Sequence, residues 1–345
     1  QNEGNINDGT LMAKTVEQIA NDLNLSITTV RLVLNGKGDQ YRISAKTQKK
    51  IADYVEVFGY TVNHAARSLK LNKTDTYGLV IPRLSNPFFA ALAEKLEMHC
   101  HQIGCQLMIS CTYGDIKNEN KLVKSMDERN VDGIFIVSAS RKNQQHHVKH
   151  RQKPLVFLDR DFSVSNAICV ASDNCDSGAQ LTKAMIQQDA PIHFFAGDAL
   201  LPTIAARLRG YVQAIKAHYG DESHVTVSYA EHNTTKDGEQ MMKQYLEQHR
   251  QIPSHFIASS LPILEGVLSA IRQTEGVIPA HINIGTFDDH VMLSFLPNNV
   301  WSMKQDETLL VEKAFEIMTA KIAGNVVKAP PLIKTQLIKR LIAGA

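Results

Sequence analysis

The sequence predicts an α/β protein in which an N-terminal all-α helix-turn-helix domain precedes a two-lobed body of two doubly wound parallel sheets. Three observations lead there. Two short amphipathic segments joined by a polar turn lie between Thr15 and Asn35. From about residue 76 onward, strand-length apolar runs alternate with helical stretches, the pattern of parallel strands covered by helices on both faces. About ten such runs are too many for one sheet in this length, so they divide into two lobes of similar size with a cleft between them.

In the first segment Val16, Ile19, Ala20 and Leu23 recur at i, i+3, i+4 and i+7 and define one helical face. After Asn24, Ser26 is placed to cap a second helix that turns Val30, Val33 and Leu34 inward. An ordinary helical hairpin shares this spacing, but the charge favours a nucleic-acid partner. From Lys14 to Lys73 there are ten Lys/Arg against five Asp/Glu, whereas the whole chain carries only +2. In a helix-turn-helix the second helix enters the DNA major groove. Gly36 to Asp39 form a loop, and Ser44 caps a third helix with Ile51, Val55 and Phe58 inward, stopped by Gly59. Val62 to Lys70 read as a short helix capped by Asn63, too short to persist undocked, and a polar linker follows.

The expected strands are Tyr77–Ile81, Gln106–Ser110, Gly133–Val137, Leu155–Leu158 and Ile168–Ala171, then Ile192–Ala196, Val225–Tyr229, His255–Ala258, Ile282–Phe287 and Val300–Met303. The resulting division is a flexible leader (1–13), a helix-turn-helix domain (14–61), a hinge helix and linker (62–75) and a two-lobed body (76–345). Within the body the N-lobe takes about 76–172 plus 304–334 and the C-lobe about 173–303.

Hydrophobic and charged fractions of 43% and 21% fit soluble globular domains, and no apolar run reaches the roughly 18 residues of a membrane span. The polar opening QNEGNINDGT lacks the apolar core of a signal peptide, with Met12 a plausible natural start, so the expected location is cytoplasmic. Five cysteines without a CxxC are read as reduced thiols. Met98-His99-Cys100-His101 sits on an expected helix where neighbours point to different faces, so no metal site is expected there. His146, His147 and His150 are placed in a polar, solvated connection. The chain has no GxGxxG, P-loop, GxSxG or HExxH motif, and Asp288-Asp289, adjacent on a strand, make a poor acid–base dyad. No enzyme activity and no cofactor are expected.

Several strings occur in a telling order: Thr29-Val30 with Asn35, Ala66-Arg67-Ser68-Leu69, Gly78-Leu79-Val80-Ile81-Pro82, Ser85-Asn86-Pro87-Phe88-Phe89, Val131-Asp132-Gly133, Asp173-Asn174, Arg207-Leu208-Arg209-Gly210-Tyr211 and Thr286-Phe287-Asp288-Asp289. With the basic head and two-lobed body, they make the chain resemble the lac-repressor family of bacterial transcription regulators from about Lys14 to the end. The resemblance implies a periplasmic-binding-protein-like body. The long loop Gly36 to Arg42 is similar to the branch containing fructose-responsive (catabolite repressor-activator) and sucrose-operon repressors.

The resemblance also implies roles. Ile27, Thr28 and Leu32 fall where the recognition helix meets base edges, with Thr15, Ser26, Thr29, Arg31, Asn35 and Tyr41 on the same DNA-binding surface. Leu32 can touch a thymine methyl but cannot form a bidentate hydrogen bond to guanine; a packing role is the alternative. In the hinge, Asn63 caps, Ala66 fits the minor-groove floor, Leu69 wedges into the central base step, and Arg67 and Lys70 contact phosphate or base. Arg207 and Asp288 match the family's principal ligand positions, suited to vicinal hydroxyls by a donor fork and a double acceptor. Phe88 and Phe89 are candidates for an apolar wall, and Asp159, Arg160 and Asp173 for further cleft contacts. Where many relatives carry Asp or Asn, this chain reads Ser259-Ser260-Leu261-Pro262, so either Ser260 or Ser259 replaces that contact or the ligand is held differently.

The expected protein is thus a homodimeric or larger repressor on pseudo-palindromic operator DNA. A small sugar in the cleft, sucrose, fructose or a relative, acts as inducer. The alternatives are a phosphorylated fructose as effector and, in another class, the sugar-binding protein of a transporter. No C-terminal heptad run of the tetramerising kind is present; Lys334 to Ala345 read as a short basic end.

Overall fold

The computed structural model describes residues 13–60, 73–151, 153–186 and 190–342. The chain forms two compact units, Gln1–Thr74 and Asp75–Ala345. The first contains α1 (Val16–Leu23), α2 (Ile27–Leu34) and α3 (Ala45–Phe58). Thr15 and Gln18 form a reciprocal capping box at the start of α1, and Asn24, in the left-handed region at φ 51°, ends it. Ser26 Oγ accepts from the Thr29 amide at 3.0 Å and starts α2. Ile19, Val30 and Ile51 are fully buried, with Val33, Leu34 and Val55 packed against them. The expected hinge helix, 62–70, lies outside the described residues.

The second unit contains two sheets. β1 (Thr76–Ile81), β2 (Gln106–Cys111), β3 (Gly133–Ile136), β4 (Leu155–Leu158) and β5 (Cys169–Val170) form one, in the order β2-β1-β3-β4-β5. β6 (Ile192–Gly197), β7 (Thr226–Tyr229), β8 (His255–Ala258), β9 (Asn283–Phe287), β10 (Val300–Lys304) and β11 (Gln336–Arg340) form the other, in the order β11-β10-β9-β8-β6-β7. β1 to β5 pair in parallel, as do β6 to β10. Their first five strands therefore share one winding order. Alternation fills both faces: Leu79, Phe135 and Val156 pack on one side of the first sheet, and Val80, Ile134, Ile136 and Phe157 on the other.

Helices connect the strands: α4 (Pro87–Gln102), α5 (Ile116–Glu128), α6 (Arg141–His150) and α7 (Asn174–Ile186), then α8 (Pro202–Tyr219), α9 (Thr235–His249) and α10 (Leu261–Glu275). A last helix, α11 (Glu307–Ile322), follows β10 but packs Leu310, Phe315 and Met318 into the core of the first sheet. The chain thus crosses between lobes three times: after β5, after β10, and near Ile333, which bridges Ser172.

Three expectations need correction. Lys334 to Ala345 is not merely a basic end: Gln336–Arg340 is β11, antiparallel to β10, which gives the C-lobe a strand beyond residue 303. No residue of it is fully buried, though Leu337 packs against the core, and it reads weakly because an edge strand buries little. β5 is shorter than Ile168–Ala171, since only Cys169 and Val170 find partners on β4. Arg141–His150 is a helix rather than an irregular connection, and His147 is buried, while His146 and His150 are exposed as expected. Its inward stripe is polar: Asn143 Nδ2 donates to Ile116 O at 2.9 Å, and Gln144 Nε2 to Arg160 O at 3.2 Å. Hydrogen bonds replace apolar contact, so hydrophobic periodicity could not show the helix.

Two helix pairs touch backbone to backbone through glycine. A Cβ on Gly178 of α7 would lie 2.2 Å from Arg207 O, and one on Gly210 of α8 would lie 2.1 Å from Cys175 O. Gly238 and Gly266 do the same for α9 and α10. Gly210→Ala is therefore expected to destabilise the body by about 1–3 kcal/mol through overpacking, read by denaturant unfolding of the full chain.

Candidate functional site

In a doubly wound sheet the helices after the strands on either side of a switch in winding direction diverge, leaving a crevice at the carboxyl ends of the strands. Here the switch points lie between β1 and β3 and between β6 and β8. Residues following these strands line one cavity of about 860 Å³: Arg83 and Phe89 after β1, Ala139 after β3, Asp198 after β6 and Ser260 after β8. The cavity volume suits a small organic ligand. The N-terminal residues of α4, α8, α9 and α10 also line it. α8 and α10 have no side-chain cap, which favours oxygen-rich or anionic groups near their first turns.

Arg207 and Asp288 lie on its floor. Arg207, on α8, is buried; Nε donates to Asn174 Oδ1 at 2.7 Å and Nη1 to Ser259 O at 2.8 Å. Nη2 lies 3.7 Å from Asp288 Oδ1, and the guanidinium sits 4.6 Å from the Phe287 ring centroid. Asp288 also accepts from Gln305 Nε2 at 2.6 Å, and Gln305 Oε1 accepts from Ser172 Oγ at 2.7 Å. Each carboxylate at the floor follows the fourth strand of its own lobe: Asp159 after β4, Asp288 after β9. Both adopt left-handed backbone, φ 63° and 69°, a conformation that residues with a Cβ populate sparsely.

Burial raises the Asp159 carboxyl to about 6; Arg160 and Arg207 oppose the rise and Asp288 adds to it. Burial pulls the Arg160 guanidinium down, offset by Asp159, Glu119 and Asp198. Arg160 Nη1 donates to Ser138 O at 3.3 Å, its guanidinium lies 5.9 Å from the Phe89 ring centroid, and its buried Nε has no partner. Behind this wall Glu119 accepts from the Ala139 amide at 2.6 Å and from Ser138 Oγ at 3.2 Å, and pairs with His147 Nε2 at 2.9 Å.

Phe88, Phe89, Asp159, Arg160, Arg207, Ser260 and Asp288 all line this one cavity. Asp173 does not; it faces Lys334 at 3.4 Å. Ser259 Oγ turns away to donate to Ala196 O, whereas Ser260 Oγ accepts from Asn233 Nδ2 at 3.0 Å at the cavity wall. Sequence reasoning missed Gln305, Asn233 and Asp198, single polar residues with no motif around them; Asn174 stood only as part of a matched string.

On the helical head, Ile27, Thr28, Arg31, Asn35 and Tyr41 are exposed and Leu32 is half-buried. Thr15, Ser26 and Thr29 have structural work, with Ser26 and Thr29 hydroxyls 2.7 Å apart and Thr15 capping α1. Arg31 comes within 3.8 Å of Glu17, a surface pair free to give way to phosphate. Asn63, Ala66, Arg67, Leu69 and Lys70 lie outside the described residues. No group of three or more metal-binding side chains occurs among the described residues, and no helix there is long and apolar enough to cross a membrane.

The family described as "Periplasmic binding protein domain" matches residues 77–325. The fructose operon regulatory protein of Vibrio cholerae serotype O1 is 29% identical, covering 94% of this chain and 98% of its own. The sucrose operon repressor of Klebsiella pneumoniae is 28% identical over 90% and 93%. Among solved structures, the lac repressor dimer bound to operator and an anti-inducer superposes with TM-score 0.80 at 18% identity, covering 95% of this chain and 98% of that one. The Cra transcriptional dual regulator of Pseudomonas putida, in complex with fructose 1-phosphate, gives TM-score 0.71 at 23% identity over 78% and 100%. The chain belongs to the periplasmic binding protein domain family, and the regulators and repressors named above are what it is similar to over nearly its whole length. Its relatives are regulators, not enzymes.

Between pH 4 and 6 the folded state holds a proton on Asp159 that the unfolded chain has released, so this group's contribution to stability declines as pH rises to 6. His193, held near 4 by burial, contributes the opposite slope between 6.5 and 4. The difference in unfolding free energy between wild type and Asp159→Asn is therefore expected to change across pH 4–6 and flatten above it.

Proposed function

We propose that this chain is a cytoplasmic, homodimeric transcriptional repressor whose helical heads bind a pseudo-palindromic operator and whose cleft takes a small sugar as inducer. The observation that supports it most is the convergence of Arg207 and Asp288 at the meeting of the two switch points, in a chain that also carries a basic helix-turn-helix head. A guanidinium and a carboxylate side by side can hold vicinal hydroxyls, one donating and the other accepting. Phe88 and Phe89, each 5% exposed, offer an apolar surface to the ring. Asp159, Arg160 and Ser260 complete the proposed contacts. Relatives spanning 94% of the chain, head included, are operon regulators, which disfavours a transporter component.

Sugar acts through a difference in affinity between two lobe arrangements. Asp288 is bonded to Gln305, which sits where the chain crosses between lobes, so ligand contact bears directly on the crossover. Coupling of about 2 kcal/mol would change operator affinity roughly thirtyfold. The names of relatives point to fructose or sucrose. A phosphorylated fructose is favoured by the unpartnered Arg160 Nε and the uncapped starts of α8 and α10. Proposed DNA contacts are Ile27, Thr28, Arg31 and Leu32 on α2, flanked by Thr15, Ser26, Thr29, Asn35 and Tyr41.

The test is titration of labelled operator, from upstream of the chain's own gene, with fructose, sucrose, fructose 1-phosphate or no sugar at fixed salt. Loss of affinity with one sugar alone is expected; tighter binding would reverse the direction of control, and no operator binding would sink the proposal. Arg207→Ala is expected to weaken binding of that sugar about 10- to 100-fold, measured by calorimetry, through lost charge-assisted hydrogen bonds of about 1.5–3 kcal/mol each.

A further inference from the structure

A second cavity, of about 410 Å³, lies in the first lobe and shares no lining residue with the cleft. Arg151, Lys153, Lys321 and His147 line it together with Phe157 and Asn166. Among the described residues no Asp or Glu does, whereas the cleft mixes four Arg/Lys with five carboxylates. The second cavity is therefore selectively cationic.

Arg151 is the telling member. Its side chain is 3% exposed, Nε donates to Asp127 Oδ1 at 2.9 Å, and Nη1 donates to Pro154 O at 2.9 Å. Nη2 is buried with no partner. An orphaned guanidinium donor is costly unless an acceptor fills the site, and a guanidinium fork matches a tetrahedral oxyanion. Lys321 Nζ donates to Leu155 O at 2.7 Å, which leaves an ammonium two further hydrogens. Burial alone pulls its pKa down, and a bound anion would oppose that shift. Lys153 Nζ donates to Val131 O at 3.1 Å and to Asn130. The nearby carboxylates are accounted for. Asp127 is taken by Arg151, Asp132 acts on Lys153, and Glu119 is bonded to His147.

We infer that this cavity is an anion-binding site separate from the cleft, taking inorganic phosphate or the phosphate group of a small phosphorylated metabolite. The test is titration of the full chain with inorganic phosphate, against chloride at matched ionic strength, reading the binding heat and the unfolding midpoint. Wild type, Arg207→Ala, Lys321→Gln and Lys153→Gln are compared. Phosphate is expected to bind wild type and Arg207→Ala alike, and to bind each lysine variant at least about tenfold more weakly. Binding lost in Arg207→Ala but kept in both lysine variants would place the anion in the cleft and overturn the inference, leaving the repressor proposal intact. Equal response to chloride, or none to phosphate, would overturn it too.

Discussion

The organisation of the body depends on one line of polar contacts: hydrogen bonds run from Ser172 through Gln305 to Asp288, and an ion pair runs from Asp288 to Arg207. Ser172 and Gln305 belong to two different crossings between the lobes, and Ile333, on the third, bridges Ser172. Asp288 and Arg207 belong to the second lobe and form the floor of the cleft. The line is buried, where an unmet polar group costs about 1–3 kcal/mol, so each member constrains the next. A ligand that draws Asp288 or Arg207 toward itself must therefore adjust the connection between the lobes.

The cleft inherits its polarity from topology rather than from a concentration of charged sequence. Both sheets wind in the same order, so their crevices open at equivalent strand ends, and the two left-handed aspartates occupy equivalent places. Glycine contact between α7 and α8 sets the depth at which Arg207 enters, because Gly178 lets its carbonyl approach closer than any side chain would. Position here is fixed by backbone packing, and chemistry is added by single residues on that frame.

Much of this was legible in the sequence. Parallel strands announce themselves as short apolar runs, and Leu155–Leu158 and His255–Ala258 have the expected bounds. Capping residues with strong local preferences, Ser26 and Ser44, marked helix starts equally well. The failures share a cause. α6 and β11 are held by hydrogen bonds and edge pairing, which leave no hydrophobic periodicity. The candidate cleft residues came largely from a resemblance; Gln305 could not have been found that way or by pattern, because its partners are distant in sequence. Asp173 looked equivalent to the others on paper but faces Lys334.

The return of α11 to the first lobe has a further consequence, for the order of assembly on the ribosome. Phe315 packs edge-on to Tyr77 with ring centroids 5.7 Å apart, so the earliest strand of the body waits for one of its last helices. Until synthesis passes Met318, one face of the first sheet is without this cover. The second lobe, inserted between these segments, has almost all its strands in hand sooner. The lobe that begins first thus waits until nearly all of the second has been made, and its uncovered apolar face is where a nascent chain is most exposed to aggregation and most in need of a chaperone.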